Sequence, residues 1–525
     1  QKITYRTTRN EDTRCYFCKN NCLRTFIDVN VGEVKPQLPV FKSKVPLQAG
    51  EQRLIISTCE KGQVEDVSAM RGIKAGLDAV KVANPNYVEI ASREVFKIRE
   101  TALVADPPPT SHWSLAAKKR AELIRKRAML RIGMPKVLNM YLYSPMFSAY
   151  LQSLGVPGEN IVYSDYTSHE MYKAGAGRGA IDPCFPSKIG IPHIYNLMFT
   201  KHAKKPLDAI FFPMIDVLTT KLEKCTGTNA CPTVTATPNA VKAAFTKEGD
   251  LLTERGIAYL DPILNLADRR LFGLQMFRAW APVLGLSEEE NERAIDEAFK
   301  QQEAFDAGMR SRARQTMDTL ERENRIGIVM LGRVYHHDPG VNHEILDEFQ
   351  KLGYPVFSQS YLPIDGDLLD RLFGDEVRAG VISSPLDITD VWKNAYSAST
   401  NQKIWAAKFT ARHPNLVALE LSSFKCGHDA PIYNVVEGII EGSGTPYFSF
   451  KDLDENKPTG SIKIRVETID YFLKRYREDL VRKSEAASHV KNRLAEYEQM
   501  LRARFKQMPQ VEFGVPVSSS EEARN

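Results

Sequence analysis

The chain has 525 residues, of which 43% are hydrophobic and 26% are charged, a composition typical of globular proteins with apolar cores. At this length we expect three or four domains that fold without disulfide bonds. Seventy Lys and Arg residues face 65 Asp and Glu residues, and the formal charge of +5 is too small to indicate a nucleic-acid or membrane partner.

The sequence shows no signal for export or membrane insertion. It has no run of about 18 apolar residues, and its first residues lack the apolar core of a signal peptide. We therefore expect a cytoplasmic protein, in which clustered cysteines more often bind metals or act in catalysis than form disulfides. The chain begins with Gln1 rather than Met, which favours a processed product or a piece of a longer polypeptide.

The first predicted element is a small cysteine-bearing module. Three cysteines in "CYFCKNNC" have the spacing C-x2-C-x3-C, and a fourth follows 37 residues later: Cys15, Cys18, Cys22 and Cys59. Four converging thiolates can hold an iron–sulfur cubane or a zinc ion. Zinc sites more usually pair two C-x2-C knuckles, and radical S-adenosylmethionine sites use the reverse order, C-x3-C-x2-C. The motif therefore favours an iron–sulfur cluster, with structural zinc as the alternative.

Two later stretches share one pattern. After a Pro-rich joint and a basic helix, residues 135–164 and 325–358 each contain an apolar strand, an amphipathic helix, a Gly stop and a second strand. Right-handed βαβ units of this kind build parallel sheets covered by helices. Further strands are predicted in "DAIFFPMI", "NLVALEL" and "TPYFSF". We predict an α/β fold with two Rossmann-like doubly wound domains, a small N-terminal Cys-rich module and C-terminal helices.

The predicted organisation has six parts. They are a Cys-rich iron–sulfur module (1–75), a linker with a basic helix (76–134), a first α/β domain (135–285), a connecting helix pair (286–324), a second α/β domain (325–464) and a C-terminal helical region (465–525).

The other four cysteines stand apart and are flanked by Pro or Gly: Cys184, Cys225, Cys231 and Cys426. Taken singly, each is more often a buried apolar residue than a ligand. However, Cys231 and Cys426 follow predicted strands, and ligands of open α/β sheets lie beyond the carboxyl ends of strands. Loops from both domains are thus predicted to bring three or four thiolates to one cleft, where they would hold a second cluster.

Five motifs together resemble a known family. In this order, "CYFCKNNC…CEKG", "DPCFPSK", "ACPTV", "GRVYHHDPGVNHEI" and "SFKCGHDAP" resemble the portion after the ATPase domains of the large CoA-substrate-specific enzyme activase proteins. That portion is similar to 2-hydroxyacyl-CoA dehydratase subunits and double-cubane cluster proteins. The resemblance covers nearly the whole chain, and it accounts for the missing initiator Met because ATPase domains precede this portion.

The resemblance implies cofactors and partners. It implies two 4Fe-4S clusters per chain, and electrons supplied by an activase domain or subunit with an actin/Hsp70-type fold. A low-potential donor such as ferredoxin and a homodimer or heteromeric complex follow from the same resemblance. The chain has no Walker motif, so we expect ATP to be bound by a partner or a preceding domain.

The family pattern also assigns cluster ligands. They are Cys15, Cys18, Cys22 and Cys59 for the first cluster, and Cys184, Cys231 and Cys426 for the second. Cys225 is an additional candidate, because the family pattern has one cysteine in this region and the chain has two. A double cubane needs six core cysteines and the core has four, so two separate clusters are preferred over a double cubane.

Two histidines are candidate catalytic groups. His336 follows the predicted strand at 326–331, and His428 lies two residues after Cys426. A histidine beside low-potential iron could donate a proton or tune the cluster through a hydrogen bond. The structural alternatives are packing of His336 against the neighbouring domain and a plain turn at His428.

Three functions are consistent with these patterns. The preferred hypothesis is a low-potential iron–sulfur electron-transfer or reductase component of an ATP-dependent system. The first alternative is a radical enzyme of the 2-hydroxyacyl-CoA dehydratase type, with its substrate at an open cluster iron. The second is a zinc-stabilised scaffold without catalysis, in which the C-terminal helices serve assembly.

Overall fold

The computed structural model describes residues 3–17, 22–32, 43–57, 59–109, 114–179, 181, 184–423, 425–453 and 459–507. Cys18 lies outside the described residues, so its predicted ligand role stays a prediction. The domain boundaries also stay predictions. Within the described ranges, no helix has both the length and the apolar character needed to cross a bilayer.

The N-terminal module contains a three-stranded antiparallel sheet. Its elements are β1 (Tyr5–Thr8), β2 (Thr25–Asn30) and β3 (Glu51–Ile56), followed by helix α1 (Val67–Ala83). The carboxylate of Asp28 is fully buried in this sheet, where Arg53 binds it at 2.7 Å and Arg6 at 3.0 Å. Phe26 packs under the guanidinium groups of Arg24 and Arg53. Ion pairs and cation–π contacts thus supplement the few apolar contacts that such a small sheet can make.

The first α/β domain has a four-stranded parallel sheet in the order β5-β4-β6-β8 and a parallel pair β7-β9. Two helices, α2 (Tyr87–Glu94) and α3 (Leu115–Lys126), precede this domain. In chain order, the elements of the domain are β4 (Ile132–Met134), α4 (Met140–Ser153), β5 (Ile161–Tyr163), α5 (His169–Ala176), α6 (Phe185–Lys188), α7 (Gly190–Asn196), α8 (His202–Lys204), β6 (Ala209–Phe211), β7 (Met214–Val217), α9 (Pro232–Thr246), α10 (Leu251–Glu254), β8 (Ala258–Leu260), β9 (Ile263–Asn265) and α11 (Arg269–Leu284).

The second α/β domain has the same strand arrangement, β11-β10-β12-β13, again all parallel. After α12 (Glu288–Arg322) its elements are β10 (Gly327–Leu331), α13 (Ile345–Lys351), β11 (Val356–Ser358), α14 (Gly366–Arg378), α15 (Ala398–Arg412), β12 (Leu416–Leu421), α16 (Tyr433–Glu441), β13 (Tyr447–Phe450) and α17 (Thr459–Gln507). The mixed α/β fold with parallel sheets and both βαβ units are confirmed. In each sheet the strand order reverses beside the first strand, the position where α/β sheets bind ligands.

Two strand predictions were wrong in detail, and proline explains both. The strand expected from residue 135 lies at β4, Ile132–Met134, and the helix α4 begins at Met140. Pro135 cannot donate a hydrogen bond to the ladder of a central strand, so the strand ends before it. In the same way Pro213 divides "DAIFFPMI" into β6 and β7, which belong to different sheets.

The connecting helix pair predicted at 286–324 was also wrong, because α12 is one helix of 35 residues. Its sequence has no proline, and Gly308 is its only glycine. A single glycine costs a helix interior about 1 kcal/mol, which packing can offset. Buried residues such as Ala298, Phe305 and Met317 continue along the helix through this point.

The two α/β domains share part of their cores. A 3-10 turn, Val334–His337, follows β10, and its residue Tyr335 packs with Val341 into the apolar cluster of the first domain. Gly340 contacts Thr167 so closely that a Cβ atom would lie 2.5 Å from the Thr167 carbonyl oxygen. The segment after β10 is therefore fixed against the first domain.

Candidate functional site

A small cavity of about 30 Å³ lies where this segment meets the loop that follows β12. Its walls come from both α/β domains and include Cys184, Phe185, Tyr335, His336 and Cys426. We call it the cysteine cavity. Residues that follow the carboxyl ends of β10 and β12 line it. These two strands are neighbours in the sheet of the second domain, and the strand order reverses between them.

Two of the predicted ligands, Cys184 and Cys426, line this cavity. Cys231 is not part of its wall but, like Cys426, interacts electrostatically with the thiol of Cys184, although the three residues lie far apart in sequence. Burial is the main cause that raises the pKa of Cys184, and the two neighbouring cysteines raise it further. The thiol is therefore neutral near pH 7, and metal binding would require its deprotonation.

Helix α9 starts at this group of cysteines. Cys231 is the residue before its first turn, and Pro232 occupies the first helical position, where no amide proton is needed. The free amide groups of a helix N-terminus favour negative charge nearby. The sequence "ACPTV" thus places Cys231 at the N-terminus of α9.

A buried ionic network supports the loop that carries Cys426. The Arg333 Nη2 atom donates to Asp429 Oδ1 at 3.0 Å, and Lys403 Nζ lies 3.1 Å from the same oxygen. Lys403 also binds Glu420 Oε1 at 2.9 Å. All four side chains are buried. The pairing of Arg333 and Lys403 with Asp429 and Glu420 lowers the cost of burying these charges.

Arg333 belongs to this network and also interacts electrostatically with Cys426 and Cys231. Burial disfavours its charge, but Asp429, and to a smaller extent Tyr335, Cys426 and Cys231, raise the pKa of the guanidinium. Burial also opposes the charge of Asp429, yet Lys403 and Arg333 lower the pKa of that carboxyl. Arg333 therefore stays charged and would stabilise thiolates at the cavity.

His336 lines the cysteine cavity, and its tautomer is defined by the backbone. The Arg333 amide donates to His336 Nδ1 at 3.0 Å, so the proton of the neutral ring is on Nε2. Burial lowers the pKa of His336 to about 3, with Lys403 as a further cause. The ring is thus neutral near pH 7 and carries a hydrogen-bond donor.

His428, the other predicted catalytic candidate, faces a different neighbour. Its Nδ1 atom lies 3.3 Å from Ser397 Oγ, and its ring lies 6.2 Å from that of Tyr396. Burial, followed by the charge of Arg333, lowers the pKa of His428. The histidine is near the ionic network but is not part of the wall of the cysteine cavity.

Cys225 is only six residues from Cys231 in sequence, but it does not line the cysteine cavity. Its side chain packs against the large apolar core and interacts with Asn401 and Asp387. Burial is the main cause that raises the pKa of this thiol. The neighbours of Cys225 thus differ from those of Cys184, whose thiol interacts with Cys231 and Cys426.

The N-terminal module brings parts of its cysteine motif together. The Cys15 amide donates to the Cys22 carbonyl oxygen at 2.8 Å, which closes the turn between them. Arg24 donates to the carbonyl oxygens of Gly62 and Val64, in the segment that directly follows Cys59. The segments that carry the described cysteines of this module are therefore linked through Arg24.

Neither group of cysteines is assembled as a metal site. Within the described ranges, which exclude Cys18, no three His, Cys, Asp or Glu side chains are arranged to hold a metal ion. The described thiols nevertheless fit an iron–sulfur cluster by their chemistry, because they form no disulfides and are buried or half-buried. The cluster ligands stay predictions.

Sequence reasoning missed Lys403, Glu420 and Tyr335. A signal for Glu420 was present, since a carboxylate inside the apolar strand "NLVALEL" needs a buried cationic partner. That partner, Lys403, lies on α15, which precedes the strand, and no local pattern connects the two residues.

Comparison with known proteins identifies one part of the chain. A search of curated proteins finds no match. Residues 131–362, which include Cys184, Cys225, Cys231 and His336, match the CoA enzyme activase uncharacterised domain (DUF2229). For this part of the chain, the match confirms the resemblance to the CoA-substrate-specific enzyme activase proteins.

Proposed function

We propose that the chain is a low-potential iron–sulfur component that receives electrons from an ATP-hydrolysing activase and transfers them to a substrate or partner that is difficult to reduce. The observation that carries this proposal is that Cys184 and Cys426, from two domains, line one cavity, and that Cys231 and the buried cation of Arg333 interact electrostatically with them. The match to a CoA enzyme activase domain supports the link to an activase.

The proposal assigns two ligand sets. A 4Fe-4S cluster would supply one-electron chemistry at low potential. The residues that would hold the clusters are Cys15, Cys18, Cys22 and Cys59 in the N-terminal module, and Cys184, Cys231 and Cys426 at the cysteine cavity. An activase domain or subunit would bind ATP, and a donor such as ferredoxin would supply it with electrons.

The surrounding residues would have separate tasks. Arg333 and the N-terminus of α9 would offset the negative charge of the thiolates. His336 would present its Nε2 proton at the cavity. Tyr335 and Phe185 would limit the access of water, because both are largely buried at the cavity wall.

One observation favours a second candidate, a radical enzyme of the 2-hydroxyacyl-CoA dehydratase type. The side chain of Cys225 interacts with Asn401 rather than with the other core cysteines. A core set of three thiolates would leave one iron of a cubane without a protein ligand, which is the requirement for substrate binding at iron.

Anaerobic purification followed by iron, sulfide and zinc analysis tests the proposal. Two 4Fe-4S clusters predict about eight irons per chain. Zinc alone, or fewer than about three irons per chain, would contradict the proposal and favour the scaffold hypothesis. Cys184→Ser and Cys426→Ser should each lose the core cluster, and Cys225→Ser is the matched control that should retain it.

Two further measurements separate the remaining candidates. If the chain is a reductase component, an activase with ATP should reduce its clusters, followed by electron paramagnetic resonance, without any acyl-CoA. If it is a dehydratase, a 2-hydroxyacyl-CoA should alter the spectrum of the core cluster in wild type. That change should be absent when only the N-terminal cluster is left in Cys426→Ser.

A further inference from the structure

A second and much larger cavity, of about 290 Å³, lies between the two α/β domains and helix α12. Its walls include residues 218–222 and 359–362, which directly follow β7 and β11. Val334 lines this cavity, whereas the next two residues, Tyr335 and His336, line the cysteine cavity. A single turn of chain thus separates the two cavities. We call the larger one the α12 cavity.

Just over half of the wall of the α12 cavity is apolar. The large apolar side chains that form it are Leu142, Met146, Phe299, Ile364 and Trp405. The volume is sufficient for a small organic molecule, and ligand sites commonly combine such walls with a few polar groups. The cavity also lies beyond the carboxyl ends of parallel strands, where α/β proteins bind ligands.

Helix α12 contributes a row of polar groups to this cavity. Gln302, Asp306 and Arg310 are spaced four residues apart, so they lie on one face of the helix. Gln302 Nε2 donates to Asp306 Oδ1 at 3.1 Å. Arg310 makes no hydrogen bond or ion pair with the residues described, although its charge lowers the pKa of Asp306.

Two further polar atoms of the cavity wall are buried without a partner in the described part of the chain. They are the hydroxyl of Tyr361, a residue 2% exposed, and the Oε1 atom of Gln302, a residue 6% exposed. Leaving a buried polar atom without a hydrogen bond costs free energy. A ligand that paired with these atoms and with Arg310 would recover that cost.

The net charge of this row of α12 side chains depends on whether the carboxyl of Asp306 is ionised. Burial raises the pKa of Asp306 to about 6, which Arg310, Gln302 and Lys221 only partly counteract. Because this pKa lies below 7, Asp306 is mostly charged near pH 7, and Glu303 lines the same wall. Neither carboxylate forms an ion pair with Arg310 among the described residues, so the guanidinium keeps its hydrogen-bond donors for a ligand.

We infer that the α12 cavity binds a small organic acid, whose carboxylate pairs with Arg310 and the Tyr361 hydroxyl and whose apolar body contacts Leu142, Phe299 and Trp405. Gln302 Oε1 accepts a hydrogen bond from a hydroxyl or amino group of the ligand. This inference uses no cysteine, so it does not rest on the proposed iron–sulfur function and can fail independently of it.

Calorimetric titration of the full chain tests the inference with benzoate and hexanoate, and with benzamide and hexanamide as their uncharged counterparts. The acids should bind at least about tenfold more tightly than the amides, because only the acids form an ion pair with Arg310. Arg310→Gln should abolish this preference, and Tyr361→Phe should weaken acid binding about fivefold.

Arg322→Gln is the matched control, because Arg322 lies on the same helix and is not part of the cavity wall. This variant should bind the acids as wild type does. Acid binding should also change the fluorescence of wild type, and Trp405→Phe should reduce that change. Equal binding of acid and amide, failure of both acids to saturate, or unchanged binding by a folded Arg310→Gln protein would overturn the inference.

Discussion

Arg333 and Asp429 form a buried ion pair, with 3.0 Å between Nη2 and Oδ1, across 96 residues of sequence. Arg333 belongs to the segment after β10, and Asp429 belongs to the loop after β12. These two segments carry His336 and Cys426, which both line the cysteine cavity. The pair therefore sets the relative position of two predicted functional residues.

Arg333→Met should lower the free energy of unfolding by about 3 kcal/mol, because it removes one of the two cations that pair with the buried Asp429 carboxylate among the described residues. Urea unfolding followed by circular dichroism would measure this change. Arg333→Lys keeps the charge but loses the forked geometry of the guanidinium, so it should cost less. A loss below about 1 kcal/mol for Arg333→Met would contradict the structural role of the pair.

Gly332→Ala should disturb His336. A Cβ atom at residue 332 would lie 2.8 Å from His336 Nδ1, the atom that accepts from the Arg333 amide. The ring would have to move, at a cost of about 1–3 kcal/mol in a packed interior. We expect a lower thermal unfolding midpoint and an altered ¹⁵N chemical shift of His336 Nδ1 in nuclear magnetic resonance spectra.

Gly308→Ala provides the matched control for this substitution. Gly308 lies in the interior of α12, and a Cβ atom there would meet nothing within 4 Å. Alanine should therefore stabilise the protein by about 0.5–1 kcal/mol through its higher helix propensity. If both glycine variants unfold at the same midpoint, the contact between Gly332 and His336 has no energetic effect.

Asp338→Asn should change how stability depends on pH. Burial raises the pKa of Asp338 to about 6, well above its ordinary value of 3.8. Between these values the folded protein binds the proton more tightly than the unfolded chain does. The contribution of Asp338 to stability is therefore greatest below about pH 4, falls as pH rises to about 6 and is constant above that.

The loss between pH 4 and pH 6 should be about 2 kcal/mol in wild type relative to Asp338→Asn. Asparagine is uncharged throughout and can still bond with Thr167 and the Gly340 amide, the present partners of Asp338. Urea unfolding at both pH values, in both proteins, isolates this effect from other carboxylates. Identical pH profiles would contradict a raised pKa at Asp338.

Arg24→Gln should loosen the N-terminal module. The Arg24 guanidinium joins the strand after Cys22 to the carbonyl oxygens of Gly62 and Val64. Glutamine is too short to reach both, so buried carbonyl groups would lose their donors at a cost of about 1–3 kcal/mol. We expect faster amide exchange in residues 25–30 and 51–56, measured by hydrogen–deuterium exchange mass spectrometry, with unchanged exchange in β10 and β12.

The sequence was sufficient to predict the local architecture. Apolar runs, helical spacing and glycine stops identified both βαβ units, and parallel strands followed from them. These signals are local, because neighbouring residues determine periodicity. One error concerns "DAIFFPMI", where Pro213 divides a continuous apolar run into two strands. Another concerns the predicted helix pair, where the helical pattern continues through Gly308 and forms the single helix α12.

The membership of the candidate site was decided by tertiary structure. Cys225 and Cys231 are six residues apart, yet only Cys231 acts on Cys184, and Cys426 joins them from the other domain. The pairing of Lys403 with Glu420 likewise depends on how α15 packs against β12. The sequence alone determined which thiols are available. The packing of two domains decided that Cys184 and Cys426 share a cavity, because contacts between distant segments leave no local pattern.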